Sequence, residues 1–163
     1  FLELGAFAAF EMYSGDVDHE SIKAIKDSVK IPVLASGNLF TPQKAKEMLD
    51  KTKCDGVMVA RGALGNPWIF NQIKSYLADG TILPEPTLEE RLAVLRRHIQ
   101  YIEKYKLLAT RVKVGFSRKV AFWYLKNFKY AAVLRAKVNS AQSFEDLFTL
   151  FDGIPKMAEF LAQ

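Results

Sequence analysis

Short apolar runs alternate with amphipathic stretches in the first half of the chain. Continuous apolar character predicts buried strands over residues 31–35 and 55–60. Apolar positions at helical spacing predict helices over 18–29, 41–51 and 67–78. Alternation of this kind indicates βα units, whose strands lie parallel in one sheet.

The second half of the chain requires no strand. Helices are predicted over 88–106, 109–127, 130–138, 143–151 and 155–162. Thr87 and Glu90 have the spacing of a capping box, and Pro155 is a start signal for the last helix. Two prolines predict a linker over residues 81–86.

The predicted fold class is α/β followed by all-α, with residues 1–80 and 87–163 on either side of the linker. Residues 1–10 have only a weak strand pattern, so two strands are secure. Two parallel strands with their helices do not make a stable sheet by themselves. We therefore expect residues 1–80 to be the carboxyl-terminal βα units of an incomplete sheet, and the chain to be part of a longer protein.

A glycine-containing turn follows each predicted strand. Consecutive parallel strands need a right-handed crossover, which brings the two turns to the same sheet edge. Glycine permits close backbone approach, and arginine supplies a fork of donors. The residues that would hold an anion there are Ser36, Gly37, Asn38, Ala60, Arg61 and Gly62. This pattern favours the phosphate site after the last two strands of a (β/α)8 TIM barrel, although a doubly wound sheet and an ordinary turn with a solvated arginine stay open.

Charge is distributed unevenly along the chain. Residues 1–86 contain 9 Lys and Arg against 11 Asp and Glu, whereas residues 87–163 contain 14 against 7. Within residues 91–137 there are 13 basic side chains and one acid, Glu103. Solvated helix faces usually mix signs, so the excess predicts a polyanionic partner.

The remaining candidate chemistry is sparse. Cys54 is the one cysteine, which excludes an internal disulfide, and it is expected to be a small residue at a helix–strand junction. His19 and His98 lack the spacing of a metal site or a catalytic triad. No apolar run approaches the ~20 residues of a membrane span. A cytoplasmic monomer without a metal is the expectation.

Four motifs occur in an order and spacing that resemble one family. They are Met12-Tyr13-Ser14-Gly15, residues 31–38, residues 55–70, and Arg118-Lys119 with Trp123-Tyr124-Leu125-Lys126. Over about residues 12–150 the chain resembles the tRNA-dihydrouridine synthases, flavin-dependent barrel enzymes with a helical tail. The resemblance implies reduction of the uracil C5–C6 bond in tRNA: NADPH reduces FMN, the flavin delivers hydride to C6, and a cysteine protonates C5.

The resemblance also implies roles for particular residues. The two turns at residues 36–38 and 60–62 would hold the FMN phosphate, with Arg61 as the main cation. The side chains that would face tRNA are Arg111, Lys113, Arg118, Lys119 and Lys126. Of the adjacent Trp123 and Tyr124, Trp123 is expected in the core.

Departures from the family pattern limit these expectations. Gly5-Ala6-Phe7 stands where the family has His-Gly-Arg, Ser36 replaces the usual Asn, Asn38 the usual Asp, and Val120 the usual His. The family's catalytic cysteine belongs to an earlier barrel loop, so Cys54 does not inherit its role. No catalytic residue is expected in this chain, which would be inactive alone. The alternatives are a non-catalytic RNA-binding module and another FMN-dependent barrel, such as one resembling dihydroorotate dehydrogenases.

Overall fold

The computed structural model describes the backbone of residues 2–5, 15–126, 128 and 131–160, and the side chains of residues 15–126, 128 and 131–155. The chain divides into two compact units, Phe1–Pro84 and Glu85–Gln163. The first unit combines strands with helices, and the second is helical over its described residues. The α/β plus all-α prediction is confirmed at this level. The Met12-Tyr13-Ser14 motif and the Ala6-Phe7 departure lie outside the described residues.

The first unit contains a parallel sheet of three described strands. They are β1 (Leu2–Gly5), β2 (Val33–Ser36) and β3 (Gly56–Val57), in the order β1-β2-β3. The register pairs Leu2 with Val33, and Leu34 with Gly56. The weak pattern near the N-terminus therefore does form a strand.

Strand β3 is shorter than the predicted strand over 55–60. Met58 N–H still donates to the Ala35 carbonyl at 2.9 Å, but the chain then turns at Ala60, whose φ and ψ are −102° and −92°. A 3-10 turn follows at Arg61–Ala63. The early end of the strand brings Arg61 to the carboxyl edge of the sheet.

Three helices accompany the sheet, each with an identifiable start or end. They are α1 (His19–Ser28), α2 (Pro42–Thr52) and α3 (Ile69–Asp79). Asp18 accepts a hydrogen bond from Ser21 N–H at 3.0 Å, and Thr41 accepts one from Lys44 N–H at 3.2 Å. These are N-caps, which satisfy otherwise unpaired donors of the first turn. Gly80 ends α3 with φ +81°.

The core of the first unit lies between the sheet and its helices. Its most buried side chains include Ile22, Val33, Ala35, Met48 and Ile69. Cys54 belongs to the same cluster and lies between α2 and β3, the junction that the sequence predicts for it. Burial of this apolar surface is the main term that stabilises the unit.

The second unit contains the helices α4 (Leu88–Tyr105), α5 (Thr110–Tyr124), α6 (Ala131–Ser140) and α7 (Phe144–Phe160). Thr87 and Glu90 form the predicted capping box at the start of α4, with bonds of 2.7 and 3.2 Å. Helix α4 packs against α5 and α7. Their shared core contains buried Leu95, Ile99 and Val120.

Helix α7 corrects the prediction of two separate helices over 143–151 and 155–162. One helix continues through Pro155. Leu147, Phe151 and Ile154 are all buried and lie on one face at helical spacing. Packing of this face offsets the local cost of a proline, which removes one backbone donor.

Among the described residues, no helix combines the length and apolar character that crossing a membrane requires.

Candidate functional site

The two turns predicted from the sequence meet at one place on the first unit. All six predicted residues line a single small surface cavity, together with Leu39, Phe40 and Met58. The six are Ser36, Gly37, Asn38, Ala60, Arg61 and Gly62. They converge because β2 and β3 are adjacent and parallel, so both of their carboxyl ends reach the same edge.

Asn38 connects the turns through its side-chain amide. Its Oδ1 accepts a hydrogen bond from Arg61 Nη2 at 2.8 Å, and its Nδ2 donates to the Gly15 carbonyl at 2.9 Å. A carboxylate in the same place could accept but not donate. Asn38 itself has φ +48°, a left-handed conformation that asparagine tolerates better than most residues. Asn38, one of the positions that depart from the family pattern, therefore joins three segments.

Phe40 supports the same guanidinium from another side. Arg61 Cζ lies 5.5 Å from the centre of the Phe40 ring, within the range of a cation–π contact. Phe40 is not among the six site residues that the sequence predicts. An aromatic residue two positions after Asn38 was the available signal, although only the fold shows that its ring reaches Arg61.

Two glycines of the site lie where a side chain would clash with its neighbours. A Cβ at Gly62 would lie 1.9 Å from the Leu39 carbonyl oxygen, and a Cβ at Gly37 would lie 2.6 Å from Val17 Cγ2. Gly37 also has φ +150°, which side chains rarely adopt. Glycine is therefore required at both positions by space, and at Gly37 by conformation as well.

Arg61 is the charged side chain among the described residues that line the small cavity. It is exposed, Ser36 is buried, and the Asn38 side chain that accepts a hydrogen bond from the guanidinium is a neutral amide. Arg61 therefore brings a cationic group to the glycine-containing turns. Turn backbone with one guanidinium suits a phosphate or similar oxyanion. Over the part of the chain that the structure describes, no group of His, Cys, Asp and Glu could hold a metal ion.

A larger cavity of about 290 Å³ lies beside these turns and shares Gly37 and Asn38 with them. Glu47 lines it and accepts hydrogen bonds from Lys44 Nζ at 2.8 Å and Lys51 Nζ at 2.6 Å. These bonds lower the pKa of Glu47 to about 2. Lys44 and Lys51 share the Glu47 carboxylate, and Asp16 also lines this cavity, so these four side chains carry equal numbers of positive and negative charges.

The five predicted RNA-facing residues occupy two kinds of environment in the second unit. Lys113 Nζ donates to the Glu103 carbonyl at 2.7 Å, and Arg118 Nη1 donates to the Asn139 carbonyl at 2.8 Å. These cations satisfy the last turns of α4 and α6, where the helix dipole also favours positive charge. The other three are exposed: Arg111, Lys119 and Lys126.

The aromatic pair on α5 is arranged opposite to expectation. Tyr124 is buried, whereas Trp123 is partly exposed and has Lys119 Nζ 5.7 Å from its ring centre. The Tyr124 hydroxyl is 3.3 Å from His98 Nδ1. Burial lowers the pKa of His98 and raises that of Tyr124. His98 is thus a structural histidine of the α4–α5 contact.

The geometry defines a class of protein: a parallel α/β unit whose paired turns have the chemistry to hold an anion, joined in sequence to a strongly basic helical unit. Comparison with known proteins places the chain within a particular family. Residues 8–155 match the family model described as Dihydrouridine synthase (Dus). The chain belongs to the dihydrouridine synthase family.

Curated relatives agree with this assignment. A tRNA-dihydrouridine synthase B of Vibrio vulnificus is 37% identical over 149 residues, which cover 88% of this chain and 45% of the relative. A probable tRNA-dihydrouridine synthase of Rickettsia bellii is 42% identical over 129 residues, covering 79% of this chain and 39% of the relative. The chain therefore spans less than half the length of these relatives.

Proposed function

We propose that this chain takes part in the reduction of uridine to 5,6-dihydrouridine in tRNA, with FMN as cofactor and NADPH as reductant. Family membership supports the reaction class, since the relatives above are named tRNA-dihydrouridine synthases. One geometric observation supports the cofactor: Arg61 and Asn38, from turns 23 residues apart in sequence, form a 2.8 Å contact at the edge of a parallel sheet. A (β/α)8 barrel places its phosphate site in such a position.

The residues present fit the phosphate end of FMN. Arg61 offers a guanidinium that hydrogen-bonds a neutral amide, Gly62 keeps a Cβ away from the Leu39 carbonyl, and Gly37 keeps one away from the Val17 side chain. Bound there, FMN would supply the hydride for reduction of the uracil C5–C6 bond. Arg61 would hold the phosphate, and Asn38 would hold Arg61 at the correct angle.

The basic helical unit is proposed to bind the tRNA. Arg111, Lys119 and Lys126 are exposed and suited to phosphate contacts. Lys113 and Arg118 donate to helix carbonyls, so we assign them the positioning of α4, α5 and α6. A tRNA substrate agrees with a cytoplasmic location.

Catalysis is proposed to need residues other than these 163. Cys54 is buried and immediately precedes the short strand β3, whereas Arg61 follows that strand. The only cysteine therefore lies at the amino end of β3, on the opposite sheet edge from the phosphate turns. We expect the isolated chain to be inactive with NADPH, FMN and unmodified tRNA.

Binding of FMN compared with riboflavin tests the cofactor assignment, because only FMN carries the phosphate. Titration followed by flavin fluorescence should show tighter binding of FMN. Arg61→Met should weaken FMN about tenfold or more, the effect of losing a charge-assisted hydrogen bond, and leave riboflavin unchanged. Lys74→Met, an exposed cation on α3, is the matched control.

An unchanged ratio of FMN to riboflavin affinity in Arg61→Met would contradict the phosphate assignment.

The 13-to-1 charge excess within residues 91–137 favours a second candidate, a non-catalytic RNA-binding module. Binding of tRNA that falls steeply with salt, in a chain that binds neither flavin, would support that candidate.

A further inference from the structure

One face of α4 carries an exposed stripe of alternating rings and cations. The stripe consists of Arg97, Tyr101, Lys104 and Tyr105; Tyr101 is three or four residues from each of the other three, so the four share a face. Tyr101 is 55% exposed and Tyr105 is 64% exposed. Two large aromatic rings exposed to solvent on one helix face are unusual, since such rings contribute most to stability or binding when they are buried against other groups.

The rings of the stripe are placed beside one another without stacking. The Tyr101 and Tyr105 centroids are 5.8 Å apart and the ring planes are inclined by 62°. Lys104 Nζ lies 5.1 Å from the Tyr105 centroid. The two rings therefore meet edge-on rather than stacked, and their exposure leaves ring surface on which planar groups can stack.

The charged side chains of the stripe itself have one sign. Glu103 is the one acid among residues 91–137. It lies two residues from both Tyr101 and Tyr105, a spacing that places it on a different face of the helix. Arg97 and Lys104 therefore face the same solvent as the rings without an acid within the stripe.

We propose that this stripe binds unpaired nucleotides of RNA, with Tyr101 and Tyr105 stacking on bases and Arg97 and Lys104 contacting adjacent phosphates. The proposal deepens the RNA binding assigned to the helical unit and rests on it. Cations interleaved with exposed aromatic rings bind single-stranded nucleic acids. Each base offers a ring face for stacking, and each phosphodiester linkage carries a negative charge. A duplex hides its base faces, so the stripe selects unpaired segments.

A pair of labelled RNAs tests the proposal with the whole chain. The probes are a fluorescein-labelled oligouridylate of about ten nucleotides, a length within known single-strand site sizes, and a duplex of equal length. Fluorescence anisotropy at several salt concentrations gives the affinity and its salt dependence. The variants are Tyr101→Leu with Tyr105→Leu, which keeps apolar volume but removes both rings, and Tyr101→Phe with Tyr105→Phe, which keeps the rings.

The leucine pair should weaken single-strand binding about tenfold or more, and duplex binding less than about twofold. The slope of affinity against salt should not change, because the phosphate contacts remain. The phenylalanine pair should bind as the parent chain does. Val133→Ala, at a half-exposed apolar position on α6, should change neither probe. Since both tyrosines are exposed, thermal unfolding of the leucine pair should match the parent.

Three results would overturn the proposal, and they differ from one another. Parent-like single-strand binding by the leucine pair would remove the stacking role while RNA binding by the helical unit stands. Equal weakening of single strand and duplex would assign the tyrosines to a general surface contact. Absence of any RNA binding by the parent chain would refute the proposed RNA function and this stripe with it.

Discussion

Replacing Gly62 with alanine should force apart the two turns of the proposed phosphate site. The added Cβ would lie 1.9 Å from the Leu39 carbonyl oxygen, although real Cβ atoms essentially never come within 3.0 Å of a heavy atom. A displacement of at least 1.1 Å is therefore needed, the difference between those two distances. The opposing atom is backbone, and Leu39 lies between Asn38 and Phe40, whose own backbone groups are hydrogen-bonded at 2.9 Å.

The expected cost follows from overpacking. Extra volume in a well-packed region costs about 1 to 3 kcal/mol, and the entropy that alanine removes from the unfolded chain offsets up to about 1 kcal/mol. A net loss of about 2 kcal/mol corresponds to about 8 to 16 °C in Tm for a unit of this size. Because Asn38 and Arg61 belong to the displaced turns, FMN affinity should fall at least about tenfold as well.

Urea unfolding and flavin titration of the same samples measure both effects. Gly80→Ala is the matched control, since Gly80 has φ +81° and nothing within 4 Å of an added Cβ. It should destabilise the unit by about 1 kcal/mol through backbone strain alone and leave FMN affinity unchanged. The overpacking prediction would be wrong if Gly62→Ala unfolded at the same urea concentration as the parent chain and bound FMN with the same affinity.

Three further predictions concern the second unit. Gly153→Ala should raise the free energy of unfolding by about 0.5 to 1 kcal/mol in urea titrations. Gly153 lies within α7, and an added Cβ meets nothing within 4 Å. A lower unfolding midpoint in the variant would contradict this prediction. Burial beside Tyr124 lowers the pKa of His98 below its ordinary 6.5. Between that lowered pKa and 6.5 the folded unit therefore binds fewer protons than the unfolded chain. The free energy of unfolding should consequently fall as the pH decreases from 6.5 through the folded pKa. Urea midpoints across that range should show a shallower fall in His98→Gln, and equal slopes would refute the assignment. Arg118→Met should cost about 1 kcal/mol by removing the bond to the Asn139 carbonyl, and a parent-like thermal midpoint would show that the bond is not stabilising.

Local signals account for the parts of the fold that the sequence predicted well. Thr87 and Glu90 cap α4 where predicted, because a cap needs only neighbouring residues of the correct type. The alternation of apolar runs and amphipathic stretches predicted adjacent parallel strands, and the handedness of their connection then placed the two glycine turns together. The six residues of the candidate phosphate site could be named for that reason.

Errors arose where distant packing outweighs a local preference. Pro155 is a strong local signal for a helix start, yet α7 continues through it because Leu147 and Phe151 pack into the core. Trp123 is larger than Tyr124, but the direction of each side chain on α5 decided that Tyr124 is buried. The periodicity of apolar residues does not by itself show which of two adjacent positions at the margin of an apolar helix face is buried.

The sequence by itself determined that this chain combines parallel βα units with a basic helical unit, and it determined which turns could bind an anion. Only the tertiary structure decided that Asn38 donates to Gly15 while it accepts from Arg61, and that Phe40 lies against the same guanidinium. The physical reason is that residue type and spacing set which groups are available, whereas the contacts between turns distant in sequence depend on the register and packing of the folded sheet.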